Sequence, residues 1–206
     1  MKLFRFAVVG LCAMGAVLGV LAIIRLTGLL PPLPGLPPYP AWTSAHFVTA
    51  IVFASLLPLQ LWPGLRARRP QLHRALGRVA VGVGALMATS GVAIAYLSPD
   101  RPLSERFFMT TFFLIYASLL GLGLRAALAR DIPAHRAWMV RMTAVALGPI
   151  SQRLIFAPLI ATFGVTSIDT FWQLFISAAW LSGGINLVAA EVWLRRAGPA
   201  PRLAVA

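Results

Sequence analysis

Apolar residues run along this chain in six long blocks, separated by short stretches that hold most of its charge and proline. The blocks cover Phe6 to Leu29, Thr43 to Trp62, Arg78 to Leu97, Phe107 to Leu128, Trp138 to Phe163 and Phe171 to Leu194. Each is close to the ~20 residues that a helix needs to cross a hydrocarbon core of ~30 Å. The pattern therefore predicts an all-α integral membrane protein, one domain of six transmembrane helices, with a short disordered tail over residues 197–206. The segment from Pro31 to Trp42 is proline-rich and is expected to be an extended surface stretch that places Tyr39 and Trp42 at the membrane interface.

A repeat is superimposed on the blocks. FASLLPLQL, from Phe53 to Leu61, matches YASLLGLGL, from Tyr116 to Leu124. Each copy is followed by an arginine-bearing loop, a proline and a His-Arg-Ala opening: HRALGR from His73 and HRAWMVR from His135. The second and third spans thus repeat as the fourth and fifth. Two tandem hairpins of the same orientation, related by an axis along the membrane normal, predict a four-helix core flanked by the first and sixth spans. Pro70 and Pro133 suit first helical turns, where a missing N–H costs little, and Asp131 is placed to cap the fifth span.

Composition closes off other classes. The chain is 59% hydrophobic and 11% charged, with a mean hydropathy of +0.83, whereas soluble domains are about 45–50% apolar and about 25% charged. The formal charge of +13 would suit nucleic acid, but its placement argues for topology instead. Lys2, Arg5, Arg66, Arg68, Arg69, Arg74, Arg78, Arg125, Arg130, Arg136, Arg141, Arg195, Arg196 and Arg202 all fall on one side of alternating helices. The other side has Arg25, Arg101 and Arg106, with Asp100, Glu105 and Asp169. This asymmetry places both termini in the cytoplasm, and attraction to anionic lipid is a sufficient use for the charge, with no nucleic-acid partner. The first span is expected to remain uncleaved, because its apolar run exceeds the ~7–15 residues of a signal sequence. Cys12 stands alone, which excludes an intrachain disulfide.

The candidate chemistry lies in the histidines and in the polar residues inside the spans. His73 and His135 open their helices at matching depth, an arrangement suited to bis-histidine ligation of a haem b iron, with Arg74, Arg78, Arg136 and Arg141 available to the propionates. Two other readings stand beside it: interfacial histidines that only hydrogen-bond carbonyls or lipid phosphates, and a metal site completed by Glu191. Aligning the repeats sets His46 opposite Met109, and His/Met is an allowed haem axial pair. Arg153 stands deep in the fifth span near Pro149, which should kink that helix, as Pro158 should again. With Gln152, His46, Gln173 and Arg25 it is expected to line a polar pocket open to the outside. Asn186 and Glu191 are expected to face the interior. Gly15 and Gly19 form a GxxxG, a helix contact or a dimer face. No Walker loop, HExxH or CxxC is present, and the acidic residues are too few and peripheral for a hydrolytic triad.

On these residues the chain resembles the bacterial membrane family labelled domain of unknown function 2306. The resemblance runs from His46 to Arg195 and rests on His46, Gln60, LHRALGR, HRAWMVR, Arg153 and the final AWLSGGINLVAAEVWLR with Asn186 and Glu191. It implies a multi-pass protein of the bacterial inner (plasma) membrane, and it carries no activity. More loosely, the order of ligands is similar to cytochrome b561, in which the second and fourth helices hold one haem and the third and fifth another. That likeness implies His46 with Met109 and His73 with His135. The departures are Met109 in place of a histidine and an inner pair at helix starts. Function is expected to be haem-linked electron transfer across the bilayer or to a quinone. The alternatives are a transporter-like protein that binds a small solute or lipid around Arg153, and a non-catalytic scaffold; enzymatic activity stays open.

Overall fold

The computed structural model describes residues 2–29, 40–99 and 101–197. Their regular structure is entirely helical: α1 (Lys2–Leu26), α2 (Pro40–Leu61), α3 (Pro63–Arg68), α4 (Pro70–Leu97), α5 (Leu103–Leu128), α6 (Ile132–Ala146), α7 (Gly148–Phe163) and α8 (Ile168–Ala197). Six stretches are long and apolar enough to cross a membrane, with α6 and α7 together making the fifth. The six expected spans are thus present. Tyr39 and the residues from Pro31 before it lie outside the described residues, as do residues 198–206 of the predicted tail. Trp42 sits in the first turn of α2 and is exposed.

Helix ends follow local chemistry. α4 begins at Pro70, earlier than the apolar block from Arg78, because proline pre-sets the first-turn dihedral and lacks the N–H that would go unpaired there. Arg74 and Arg78 extend this helix beyond its apolar part and stay exposed. At α6 the Asp131 carboxylate accepts from the Ala134 N–H at 3.0 Å, the cap its position predicted. The fifth span breaks at Leu147, next to the helix-disrupting Pro149, and α7 restarts at Gly148. Pro158 lies inside α7.

The break is tied to α8. The Ser182 hydroxyl donates to the Gly148 carbonyl at 3.0 Å. Asn186 Nδ2 reaches the Ala144 carbonyl at 3.1 Å and the Ser151 hydroxyl at 2.9 Å. Inside a bilayer, with no water to accept or donate, such bonds are what makes a discontinuity in a spanning helix tolerable.

The repeat appears as two packed hairpins, α2 with α4 and α5 with α6. Their contacts use equivalent positions with sizes exchanged. In the first hairpin Gln60 lies beside Gly77, where an added Cβ would come within 3.3 Å of the Gln60 amide oxygen. In the second, the equivalents are Gly123 and Met139, and the methionine fills the space over the glycine. A large residue on the first helix meets a small one on the second, then a small one meets a large one. Total volume is conserved, which is what close packing demands.

α1 and α8 flank the hairpins, yet α1 also enters the core. Val8 and Cys12 are buried with Phe53, Leu57, Tyr116, Met142 and Leu147 in one apolar cluster. The glycines of the GxxxG are spent within the chain: a Cβ on Gly15 would strike Ile150 of α7, and one on Gly19 would strike Ile51 of α2. Of the two roles expected for this face, the structure uses it as an internal helix contact. It is not a free dimer face.

Candidate functional site

Polar side chains gather at the two ends of the bundle. At the end that carries the termini, His73 in α4 and His135 in α6 lie within electrostatic reach of one another. His135 Nδ1 is 2.8 Å from the Gly123 carbonyl. A carbonyl can only accept, so this nitrogen carries the proton and the lone pair of a neutral ring sits on Nε2. The His73 carbonyl accepts from Gln60 Nε2 at 3.3 Å, while its own Nδ1 is buried and has no partner among the described residues.

Cations surround the pair. Arg66 and Arg74 both act on His73. Arg66, in the short helix α3, has its guanidinium pulled below the usual range by burial first, then by the like charges of Arg136 and Arg5. Arg136 lies over the Trp193 ring at 5.0 Å, and Trp193 stacks on Phe4 at 4.9 Å. Arg141 is bound to Glu191 through Nε at 2.5 Å and Nη2 at 3.1 Å, and its guanidinium covers Trp138. Glu191 is thereby spent on Arg141, so the reading in which it completes a metal site with the two histidines is not realised. Among the described residues no group of three or more His, Cys, Asp and Glu could hold a metal ion.

At the opposite end five helices converge. His46 of α2 donates from Nδ1 to the Met87 carbonyl of α4 at 2.9 Å, with the Ser90 hydroxyl at 3.3 Å. A Cβ on Gly91 would lie 3.2 Å from both the His46 ring and the Met109 methyl, so the two side chains meet over a bare Cα. His46 also lies in the field of Arg153 and Arg101. Arg153 of α7 bonds through Nη1 to the Pro149 carbonyl at 3.0 Å and to the Gln152 side-chain oxygen, and its guanidinium covers Phe175 at 5.4 Å. Gln152 donates to the Phe175 carbonyl at 2.9 Å.

Here the sequence reading needs correction. Glu105, taken as peripheral, is 2% exposed, paired with Arg101 through one oxygen while Oε2 has no partner. Arg101 also lies over Trp172 of α8. Gln173, expected in the pocket, is exposed, and helical geometry turns its neighbour Trp172 inward instead. Arg25 is partly buried at the end of α1, with its Nε unpartnered. Thr43, Ser90, Glu105 and Trp172 went unrecognised. Serine and threonine are common in spans, and an acid four residues after an arginine reads as a solvated loop pair.

No curated protein and no solved structure matches the chain significantly. One family model does match, that of the predicted membrane proteins DUF2306, over residues 43–194. Those residues hold nearly all of both hairpins, with His46, His73, Met109, His135 and Arg153, and the chain belongs to the DUF2306 family of predicted membrane proteins.

Proposed function

We propose that this multi-pass membrane protein carries electrons, with haem b held between His73 and His135. The observation that supports the reading most is that two imidazoles from equivalent places in the two hairpins lie within electrostatic reach of each other. The donor set fits an iron porphyrin. The Nδ1–H of His135 is anchored on the Gly123 carbonyl, the orientation by which ligating imidazoles present Nε2 to a metal. The buried Nδ1 of His73 lacks a partner, and Arg74, Arg78 and Arg136 are cations on the same two helices. Arg141 drops out of the propionate set, being occupied by Glu191. When bound, haem would supply a one-electron couple whose potential is tuned by axial ligands and burial. His46 and Met109, side by side over Gly91, are the ligand pair of a second such site. The termini are assigned to the cytoplasm and the protein to a bacterial inner membrane, with a bilayer quinone or another redox protein as partner.

The test is the absorption spectrum of detergent-purified protein from haem-replete cells, oxidised and then dithionite-reduced, with a pyridine haemochrome assay. A sharp reduced α-band with at least one haem per chain, lost in His73→Ala and His135→Ala, is expected. A colourless, folded protein from the same cells refutes the reading.

A second reading is favoured by one observation at the other end: His46 of α2 lies in the field of Arg153 of α7, and this end also holds buried polar atoms without partners among the described residues. Such a cluster suits a small solute or a lipid and needs no cofactor. On that reading Arg153→Gln removes ligand-induced stabilisation while the protein stays colourless.

A further inference from the structure

We infer that the end of the bundle opposite the termini binds an organic monocarboxylate bearing a second, hydrogen-bond-donating polar group. The inference rests on the solute- or lipid-binding reading and supplies its ligand class. Three features of the cluster converge on that chemistry.

The first is Arg153. Its Nη1 is occupied by the Pro149 carbonyl and the Gln152 side chain. The edge formed by Nε and Nη2 makes no hydrogen bond, and the residue has no ion pair, among the described residues. That edge is the fork that takes a carboxylate through two parallel bonds. At this end Arg101 is already matched by Glu105. The one fork that Arg153 offers matches the planar, two-oxygen edge of a single carboxylate.

The second is the set of buried polar atoms without partners. Glu105 Oε2, Thr43 Oγ1 and Trp172 Nε1 are all enclosed and unpaired, in residues that are 2%, 0% and 8% exposed. Buried polar groups are nearly always hydrogen-bonded, so each asks for something to bind. A carboxylate oxygen that is ionised can only accept, and the ligand must therefore bring a donor, a hydroxyl or an ammonium.

The third is the wall. Arg101 and Arg153 lie over Trp172 and Phe175 respectively, whose rings are 5.7 Å apart, with Phe171 and Phe156 packed against Phe175. Aromatic surface between two polar poles suits a carbon body and disfavours a bare inorganic ion. The same chemistry comes from two sources, a water-borne hydroxy acid or a hydroxylated fatty acid from the bilayer.

The test uses the full chain in detergent and reads saturable binding by calorimetry. The probes are para-hydroxyphenylacetate for the water-borne source, ricinoleate for the lipid-borne one, and para-hydroxyphenylacetamide as the uncharged comparison. One acid is expected to bind, with the source decided by which. Arg153→Gln is expected to weaken it roughly 10–100-fold, the effect of losing a hydrogen-bonded charge. Arg153→Lys keeps the charge but not the fork and is expected to weaken it about tenfold, which preserves the test if the Gln variant fails to fold. Binding of the amide as tightly as the acid overturns the carboxylate assignment and leaves the solute reading standing. Acid binding that is indifferent to both substitutions overturns the site, and absence of binding by all three probes overturns both.

Discussion

Phe53 and Tyr116, the opening residues of the two repeated motifs, meet edge to face with ring centroids 6.4 Å apart. They are 5% and 2% exposed, so equivalent positions of the two hairpins touch each other in the middle of the core. A repeat that superposes along the sequence is thereby joined around an axis in space. Gly84 of α4 makes the approach close, since a Cβ there would fall 2.8 Å from the Phe53 ring and collide with the Tyr116 hydroxyl.

Gly84→Ala is accordingly expected to destabilise the protein by about 1–3 kcal/mol, the range for overpacking a filled core. Gly82, one turn-half away, has open space around it, and Gly82→Ala serves as the matched control. Denaturation of the two variants in the same detergent compares them directly; equal stability would mean that the rings do not pack as described.

The exchanged sizes in the two hairpins predict a compensation. Gly123→Leu drives a side chain into Met139 and is expected to cost about 1–3 kcal/mol. Combining it with Met139→Ala should recover a good part of that loss, giving a coupling of about 0.5 kcal/mol or more between the two positions. Additive losses in the double variant would argue against the contact.

Asn186→Leu keeps the side-chain volume near constant but strips the Ala144 carbonyl and the Ser151 hydroxyl of their α8 partner. An unfolding cost of about 1–3 kcal/mol is expected, as for any buried polar group left unpaired. Protease sensitivity near the Leu147 break should rise with it, because α8 is what braces that break. A variant as stable as the parent would show that the junction holds itself.

Glu191 and Arg141 link α8 to α6 at the end of the bundle with the termini, where both side chains are partly exposed, 38% and 26% respectively. Solvent screening reduces such a pair to about 0.2–1 kcal/mol. Glu191→Gln should therefore lower stability only slightly, and the difference from the parent should shrink at high salt. Exchanging the two residues should restore most of it. A large, salt-independent loss would place the pair in a far drier setting.

The architecture was legible because its signals are local. Block length against bilayer thickness sets the number of spans, proline and Asp131 set where α4 and α6 begin, and two copies of one motif announce the hairpins. The periodicity of apolar residues says little inside a membrane, where the lipid face and the core face are both greasy, so which side of each helix turns inward was not readable. That is why Glu105 looked like a loop acid and proved to be enclosed, and why Trp172, not Gln173, joined the polar cluster.

What the sequence determined by itself is therefore the count of helices, their rough limits, the tandem repeat and the set of residue types able to do chemistry. Only the tertiary structure decided their company. It brought His73 within electrostatic reach of His135 and set His46 and Met109 over Gly91, it matched Glu191 to Arg141, and it turned the Gly15 and Gly19 face toward Ile150 and Ile51. The physical reason is that a polar group in a low-dielectric interior is defined by what compensates it, and those partners come from helices far apart in the chain.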